Sequence, residues 1–414
     1  MQAPVVKFAR EARHTKDDGR LASLDGIRGL GALAVFAFHG WLYTMPAPSS
    51  TNRSSIGDYA VHELRLALVS FFVLSGFLLA RPWFAAALEH GRPPNLRRYA
   101  RARAARVLPA YYVALAGSIA LLWGLQGTPG LRLPPSGELP LFLVFGQNFS
   151  ATSVLKLNPP MWSLAVEAMF YALLPLIGWL ALRLPQRRRT QALVPLALLA
   201  LGLLYNWTIA GRGLGLTFSK TLAAMLPYFA LGMLTALLMH GRTIDMRTKR
   251  NLMALGVALV ALDALMKAAA PALGLNATIL FSTIRDLPSG VGFALIIAAL
   301  VVAPRSRFLG GRALAAMGVI SYGFYLWHVP VLLVMRGNGW LPLDPVLGSL
   351  AAFGPSLALA VLSWFAIERP ALRWAARRNR QERRAARAAD EARLGRSGTR
   401  GREVSGRDVG TVRT

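Results

Sequence analysis

The sequence predicts an all-α membrane protein, a bundle of about ten transmembrane helices with both termini in the cytoplasm. Of its 414 residues, 54% are hydrophobic and 16% are charged. The apolar residues fall into runs of about 17 to 23, which is the length of a helix that crosses a hydrocarbon core. These runs give ten predicted spans: 27–45, 66–88, 107–125, 163–182, 192–210, 221–239, 251–270, 287–303, 313–335 and 346–367.

The basic residues predict how these spans are oriented. Of the 47 Lys and Arg residues, 36 lie in the N-terminal segment, the C-terminal segment and the alternate loops between them, 8 lie in the other loops and 3 lie within spans. Because Lys and Arg collect on the cytoplasmic side of a membrane, both termini are predicted to be cytoplasmic. We expect a multi-pass protein of the plasma membrane, and the Ala- and Arg-rich composition favours a bacterial inner membrane.

The spans form one predicted membrane domain, 27–367, between a cytoplasmic N-terminal segment, 1–26, and a basic tail, 368–414. We expect the tail to begin as a helix on the membrane surface and to become disordered near Gly395. The net charge of +28 lies mostly in short inner loops and in this tail, so anionic lipid is the expected partner and nucleic acid is not. No cleavable secretion signal is recognised before the first span. The absence of cysteine excludes disulfides, thiolate metal sites and a cysteine nucleophile, and we expect no bound metal or cofactor.

The first span carries two ionisable residues on one helical face. Arg28 and His39 are separated by eleven helical steps, roughly three turns plus 20°, and by about 16 Å along the helix axis. Ionisable groups are costly in lipid and usually face a bundle interior or a water-filled cavity. The pair therefore indicates a functional site.

The second and third spans add residues that are ordinary when taken alone. The run FFVLSGFLLARPW places Ser75 beside a glycine, and small residues at helix contacts are common packing features. Arg103 and Arg106 share one face at the predicted cytoplasmic end of span three. Paired arginines there often serve as orientation signals, but their forked donors also suit phosphate groups.

The long loop 126–162 leads into the fourth span and contains one short apolar stretch, LPLFLVFGQNF. This stretch is too short to span a membrane, so we expect a re-entrant or interfacial segment or, equally, an ordinary ordered loop on the bundle. Trp162 suits the outer interface. Glu167 lies about one turn into span four, where a carboxylate needs a partner or water.

Four polar residues stand out in the later spans. Tyr325 and His328 lie beyond the middle of span nine, toward its outer end, and the plainer interpretation of His328 is a buried histidine with satisfied hydrogen bonds. Asp263 and Lys267 are four residues apart in span seven. We predict that they form an intrahelical ion pair, which lowers the cost of burying either charge.

Together these segments resemble the acyltransferase 3 family of integral membrane acyltransferases, which O-acylate sugars and related envelope or small-molecule acceptors. The resemblance extends over residues 21–370. Each motif is weak alone, but five motifs in the family's order along a ten-helix chain are specific. The matching residues are Arg28 with His39, FFVLSGFL at 71–78, Arg103 and Arg106 with Pro109, WSLAVE at 162–167, and SYGFYLWHVP with ERP at 368–370.

The resemblance implies an acyl-coenzyme A donor, with acetyl-coenzyme A favoured, and an acceptor hydroxyl on a carbohydrate, glycolipid or related envelope molecule. The donor is a substrate that enters from the cytoplasm. Arg28, Arg103 and Arg106 are expected to hold its phosphates, while the thioester runs outward toward His39.

The resemblance also implies roles for the remaining site residues. His39 is the expected general base, because a partly neutral imidazole can take a proton from a hydroxyl. Glu167 is expected to orient His39, to stabilise its imidazolium or to bind the acceptor. Ser75 is expected either to donate a hydrogen bond to the oxyanion or to carry the acyl group. The expected acceptor-side residues are Trp162, Ser163, Tyr325 and His328.

Two other functional classes share some of these features with an acyltransferase. A secondary transporter or lipid-linked sugar flippase also has many helices with midplane ionisable groups, but no pair of Gly- or Pro-broken helices marks two symmetric halves. A structural membrane anchor would leave the buried Arg, His and Glu unexplained. No extracellular hydrolase-like domain follows span ten, so we expect the chain to act alone or with a separate partner.

Overall fold

The computed structural model describes residues 18–48, 55–270, 273, 278–301 and 308–385. These residues form an all-helical bundle without strands, and the predicted fold class is confirmed. The α-helices are α1 (Asp18–Thr44), α2 (Ile56–Glu63), α3 (Ala67–Leu88), α4 (Leu96–Leu122), α5 (Leu139–Leu143), α6 (Met161–Arg183), α7 (Arg188–Gly211), α8 (Leu216–Ser219), α9 (Leu222–Met239), α10 (Met246–Ala269), α11 (Ile279–Ile284), α12 (Leu287–Val301), α13 (Arg312–Gly337) and α14 (Pro345–Ser363).

Nine helical stretches in the described part of the chain are long and apolar enough to cross a membrane. They are Ile56–Leu88, Leu96–Leu125, Met161–Arg183, Arg188–Gly211, Leu216–Met239, Met246–Ala269, Ile279–Val301, Arg312–Gly337 and Pro345–Ala385. The first predicted span, in α1, is not among them, because Arg28, His39 and several glycines interrupt its apolar residues. This helix nevertheless lies within the bundle, since it packs along α13 and also contacts α3 and α14.

Helical structure continues beyond α14 into the basic tail. A π turn at Trp364–Glu368 leads into helix that extends to Ala385. The rest of the tail, including the disorder expected near Gly395, lies outside the described residues. The cytoplasmic orientation of the termini remains a prediction from the charge pattern.

Successive long helices run in opposite directions, so their connections gather at two ends of the bundle. We call the end formed by 89–95, 184–187 and 240–245 the arginine end. The opposite end, formed by 126–160 and 212–221, is the loop end.

Glycines allow the central helices to approach one another closely. A Cβ atom on Gly76 of α3 would lie 2.2 Å from the Phe229 carbonyl oxygen of α9, and one on Gly232 would lie 2.0 Å from the Val73 oxygen. The same kind of contact joins α13 to α1 at Gly318. Without a hydrophobic driving force in lipid, such close backbone packing is a main source of helix association.

The apolar stretch of the long loop packs on α4 at the loop end. Tyr111 and Tyr112 of α4 each donate a hydrogen bond, of 2.8 Å, to the carbonyl oxygens of Phe142 and Leu143. The Phe142 side chain is fully buried. The stretch is therefore an ordered segment of the loop, anchored to the bundle by its backbone.

Glu138 fastens the following part of this loop. Its carboxylate accepts hydrogen bonds from three hydroxyl groups, those of Ser153, Thr152 and Ser150. These hydrogen bonds, that of Ser153 first, hold the pKa of Glu138 below its usual range. The loop is thus closed on itself beside the helices that it connects.

The glycine contacts between α3 and α9 are testable by adding one methyl group. We expect Gly76→Ala and Gly232→Ala each to destabilise the protein by about 1–3 kcal/mol, because the added carbon overlaps a carbonyl oxygen. The measurement is the apparent unfolding temperature of the purified protein in detergent. Gly354→Ala in α14 is the matched control, since a Cβ there meets no atom within 4 Å. Unfolding temperatures equal to wild type for both α3 and α9 variants would contradict this packing.

Candidate active site

Two cavities lie one after the other along the bundle axis. The loop-end cavity has a volume of about 1070 Å³, and the arginine-end cavity has a volume of about 100 Å³. Leu68, Phe72 and Tyr325 line both of them. These three side chains therefore form the partition between the two cavities.

His39 lines the loop-end cavity and contacts His328 of α13. Its Nδ1 atom lies 3.0 Å from the Val35 carbonyl oxygen and 3.1 Å from Nε2 of His328. His328 is buried, and its own Nδ1 lies 3.1 Å from the Phe324 carbonyl oxygen. The two imidazoles thus form a chain between the backbones of α1 and α13.

These contacts assign the hydrogens of the neutral histidine pair. A carbonyl oxygen only accepts, so Nδ1 of each ring carries a hydrogen and donates it. Nε2 of His328 is then a second acceptor for the Nδ1 hydrogen of His39, which it shares with the Val35 carbonyl oxygen. Nε2 of His39 consequently keeps its lone pair, on a ring that lines the cavity. The pair has the arrangement of a proton acceptor oriented by a second group.

His328 and Glu167 differ in position from the sequence-based expectation. Orienting His39 was one of three roles expected for Glu167, but the hydrogen-bond partners of His39 are His328 and the Val35 carbonyl. Glu167 instead accepts a hydrogen bond from the Ser75 hydroxyl, in the arginine-end cavity. His328 is buried and lines neither cavity, and both of its ring nitrogens have hydrogen-bond partners. It thus matches the interpretation as a buried histidine with satisfied hydrogen bonds.

The arginine-end cavity brings together residues from five helices. Its polar lining includes the three arginines that the sequence predicts to bind phosphate, and the Ser75 and Glu167 pair lies among them. The lining residues of this kind are Arg28, Ser75, Arg103, Arg106, Ser163, Glu167, Tyr171, Ser321 and Tyr322. Positive charge is therefore concentrated at one end of the bundle interior.

Ion pairs and aromatic rings hold these arginines in place. Nη1 of Arg28 lies 3.2 Å from Oδ1 of Asp25, and Nη1 of Arg106 lies 3.3 Å from Oε2 of Glu368. The Arg103 guanidinium lies 5.9 Å from the centre of the Tyr171 ring. A guanidinium has five N–H donors, so one ion pair leaves donors available for a phosphate group.

The expected acceptor-side residues divide between the two cavities. Trp162 lines the loop-end cavity, with the Lys220 ammonium 4.2 Å from its ring centre. The Ser163 hydroxyl lies 2.8 Å from the Tyr325 hydroxyl. Ser163 lines only the arginine-end cavity, while Tyr325 belongs to the partition.

The predicted ion pair of Asp263 and Lys267 is confirmed, and it belongs to a larger charged cluster. Lys267 also lies 3.2 Å from Asp286, which lies 3.5 Å from Arg65. Arg65 in turn lies 3.0 Å from Glu63. The sequence does not predict this extension, because charged residues near the ends of spans look like ordinary solvated residues.

Comparisons with known proteins show the family to which the chain belongs. Residues 21–365 match the family model of the acyltransferase 3 family, described as an acyltransferase domain. The chain is 31% identical over 174 residues to the acyltransferase MdmB of Streptomyces mycarofaciens. That alignment covers 41% of this chain and 42% of the relative, less than half of its length. No solved structure matches the chain. Because the family model matches most of its residues, the chain belongs to the acyltransferase 3 family.

Proposed function

We propose that this protein transfers an acyl group, acetyl in the favoured case, from cytoplasmic acyl-coenzyme A to a hydroxyl of a carbohydrate, glycolipid or related envelope acceptor. The observation that carries this proposal is the pairing of His39 with His328. It leaves a nitrogen lone pair on a ring that lines the large cavity. A base with this arrangement suits proton removal from an acceptor hydroxyl.

The donor would bind at the arginine end, which is the predicted cytoplasmic side. Arg28, Arg103 and Arg106 offer charge-assisted hydrogen bonds to its phosphates. A cavity of about 100 Å³ holds only about seven to ten water molecules, at about 10–15 Å³ of cavity each, so it is much smaller than coenzyme A. The nucleotide would therefore stay at the mouth of the cavity, and only the thin pantetheine arm would enter.

The thioester must then cross the partition to reach the base. Arg28 lines the arginine-end cavity and His39 lines the loop-end cavity, about 16 Å apart along α1. The partition residues Leu68, Phe72 and Tyr325 lie between these two cavities. Rotation of these side chains would open the passage for the acyl group. In their closed position they keep acceptor and solvent away from the donor side.

The proposed transfer is a direct attack on the thioester. Nε2 of His39 takes the hydroxyl proton while the acceptor oxygen bonds to the thioester carbonyl carbon. The tetrahedral intermediate collapses with cleavage of the carbon–sulfur bond, and the coenzyme A thiolate takes the proton from His39. His328 accepts a hydrogen bond from Nδ1 of His39 throughout, which favours the imidazolium.

Ser75 and Glu167 offer a second route for the same reaction. The Ser75 hydroxyl donates to the Glu167 carboxylate, which is the pairing of a nucleophile with a base. In this route Glu167 takes the serine proton as Ser75 attacks the thioester, and it passes that proton to the departing coenzyme A thiolate. The acceptor hydroxyl then attacks the serine ester and gives its proton to Glu167, which returns it to the Ser75 oxygen as the acylated acceptor leaves. Labelling of the protein by acyl-coenzyme A without acceptor would distinguish this route from direct transfer.

The role of His39 as general base can be tested by replacing it. His39→Ala should lower acyl transfer by about 10²- to 10⁴-fold, the usual contribution of a general base. The measurement is release of free coenzyme A, and transfer of labelled acetyl from acetyl-coenzyme A to envelope lipid and glycan fractions, in membranes that contain the protein. His90→Ala is the control, because His90 is exposed in the connection 89–95. Near-full transfer by inserted His39→Ala protein would refute the base. Transport of a sugar without coenzyme A release would favour the competing transporter function.

The role of His328 as a residue that positions His39 can be tested in the same way. His328→Ala should lower kcat with little change in KM for acetyl-coenzyme A, because the Nδ1 hydrogen of His39 loses one of its two acceptors and keeps only the Val35 carbonyl oxygen. His328→Gln should restore part of kcat, since an amide oxygen can accept the same hydrogen. Equal kcat values for the two variants, under the assay conditions above, would mean that His328 only fills space.

The donor site can be tested by replacing Arg103 and Arg106. The double variant Arg103→Ala and Arg106→Ala should raise KM for acetyl-coenzyme A by about 10²- to 10⁴-fold, since each of the two charged hydrogen bonds contributes about 1.5–3 kcal/mol. Arg97→Ala is the matched control, because Arg97 is an exposed arginine of the same helix. A donor affinity unchanged from wild type in the double variant would place the phosphates elsewhere.

A further inference from the structure

The loop-end cavity carries more positive than negative side chains. The cations in its lining are Arg65, Arg132, Lys220, Lys267 and Arg285, and the carboxylates are Glu63 and Asp286. An excess of one charge is costly in a cavity with low-dielectric walls, and it raises the local concentration of ligands with the opposite charge. The excess is therefore informative about what this cavity binds.

Two of these cations are neutralised within the protein. Arg65 lies between Glu63 and Asp286, and Lys267 lies between Asp286 and Asp263. These contacts form one continuous network of alternating charges. They account for the acidic side chains at this end of the cavity and leave none for the other cations.

Lys220 and Arg285 are neighbouring cations that form no ion pair with the described part of this network. Nη1 of Arg285 donates a 3.3 Å hydrogen bond to the carbonyl oxygen of Ser219, the residue before Lys220. The Lys220 ammonium lies over the Trp162 ring. Within the ranges that the structure describes, no carboxylate lies within ion-pair distance of either group. Two like charges close together in this position repel each other.

The backbone at Arg285 is strained, and neighbouring groups hold it there. Arg285 has φ 42° and ψ −113° at the break between α11 and α12. A residue with a side chain rarely adopts such angles, and strain of this kind concentrates at ligand-binding positions. Lys267 Nζ donates a 2.8 Å hydrogen bond to the Arg285 carbonyl oxygen and fixes this conformation. The fold thus maintains a costly conformation that keeps an arginine in the cavity lining.

We propose that Lys220 and Arg285 bind an anionic oxygen group, a phosphate or a carboxylate, on the acceptor molecule. The inference rests on the proposed function, which assigns the loop-end cavity to the acceptor. An oxyanion between the two cations offsets their repulsion, and the arginine fork matches its paired oxygens. Trp162 and His39 line the same cavity. An acceptor held by its charged group would place a sugar ring near the aromatic side chain and a hydroxyl within reach of the base.

The test is binding of small sugars to the full chain in nanodiscs of zwitterionic lipid, measured by calorimetry without acyl-coenzyme A. The probes are glucose 1-phosphate, glucuronate and methyl glucoside. At least one anionic sugar should bind about 10-fold or more tightly than the neutral one, as expected for a charged hydrogen bond. Lys220→Gln and Arg285→Gln should each remove that difference. Equal binding of all three sugars to the wild-type protein would overturn the proposal.

Two controls separate this site from general charge effects and from lipid binding. Arg212→Gln removes an exposed cation near the loop end that does not line the cavity, and it should keep the preference for anionic sugars. Loss of the preference in this variant would overturn the site. Nanodiscs that contain phosphatidylglycerol should leave the binding of the anionic sugar unchanged. Displacement of that sugar by the anionic lipid would assign the cations to a headgroup and overturn the acceptor assignment.

Failure of this proposal is distinguishable from failure of the proposed function. His39→Ala should abolish acetyl transfer and leave the binding of anionic sugars intact, because His39 is not part of the anion site. Sugar binding without coenzyme A release in the wild-type protein would refute the acyltransferase function alone. Acetyl transfer by the wild-type protein without a preference for anionic sugars would refute the anion site alone.

Discussion

The hydrogen bond between His328 and His39 is the interaction on which the arrangement of the site depends. It joins α13 to α1 across the bundle, and its direction is set by the Phe324 and Val35 carbonyl oxygens. With both Nδ1 hydrogens engaged, the cavity-facing ring keeps one lone pair. Without His328, the Val35 carbonyl oxygen would be the remaining described acceptor for Nδ1 of His39, and one of the two contacts that orient the ring would be lost.

Close helix packing makes this hydrogen bond possible. Gly318 of α13 leaves room for the Asp25 carbonyl of α1. The two helices therefore lie close enough for His39 and His328 to meet about three to four helical turns after this contact. The bundle contains two cavities of different volume, which bind different substrates in the proposed reaction. In that reaction the small one gathers arginines for a phosphate-bearing donor, and the large one offers a base, an aromatic ring and an excess of cations to an acceptor.

The sequence predicted features that depend on local spacing. Helix length, the shared face of Arg103 and Arg106, and the ion pair of Asp263 with Lys267 all follow from the periodicity of a single helix. The sequence did not predict contacts between segments that are distant along the chain. The pairing of Ser75 with Glu167 joins residues 92 positions apart, and that of His39 with His328 joins residues 289 apart. Such contacts are set by which helices pack together, and spacing within one helix carries no information about that.

Nitrogen-15 spectroscopy of histidine-labelled protein in nanodiscs tests the central claim most directly, because the chain has only six histidines. The signals of His39 and His328 would be assigned by comparing wild type with His39→Ala and His328→Ala. Our account predicts, at neutral pH, a hydrogen on Nδ1 of His39 and a bare Nε2, with a change in the Nδ1 signal when His328 is replaced. A hydrogen on Nε2 of His39, or a His39 signal indifferent to His328, would contradict the account.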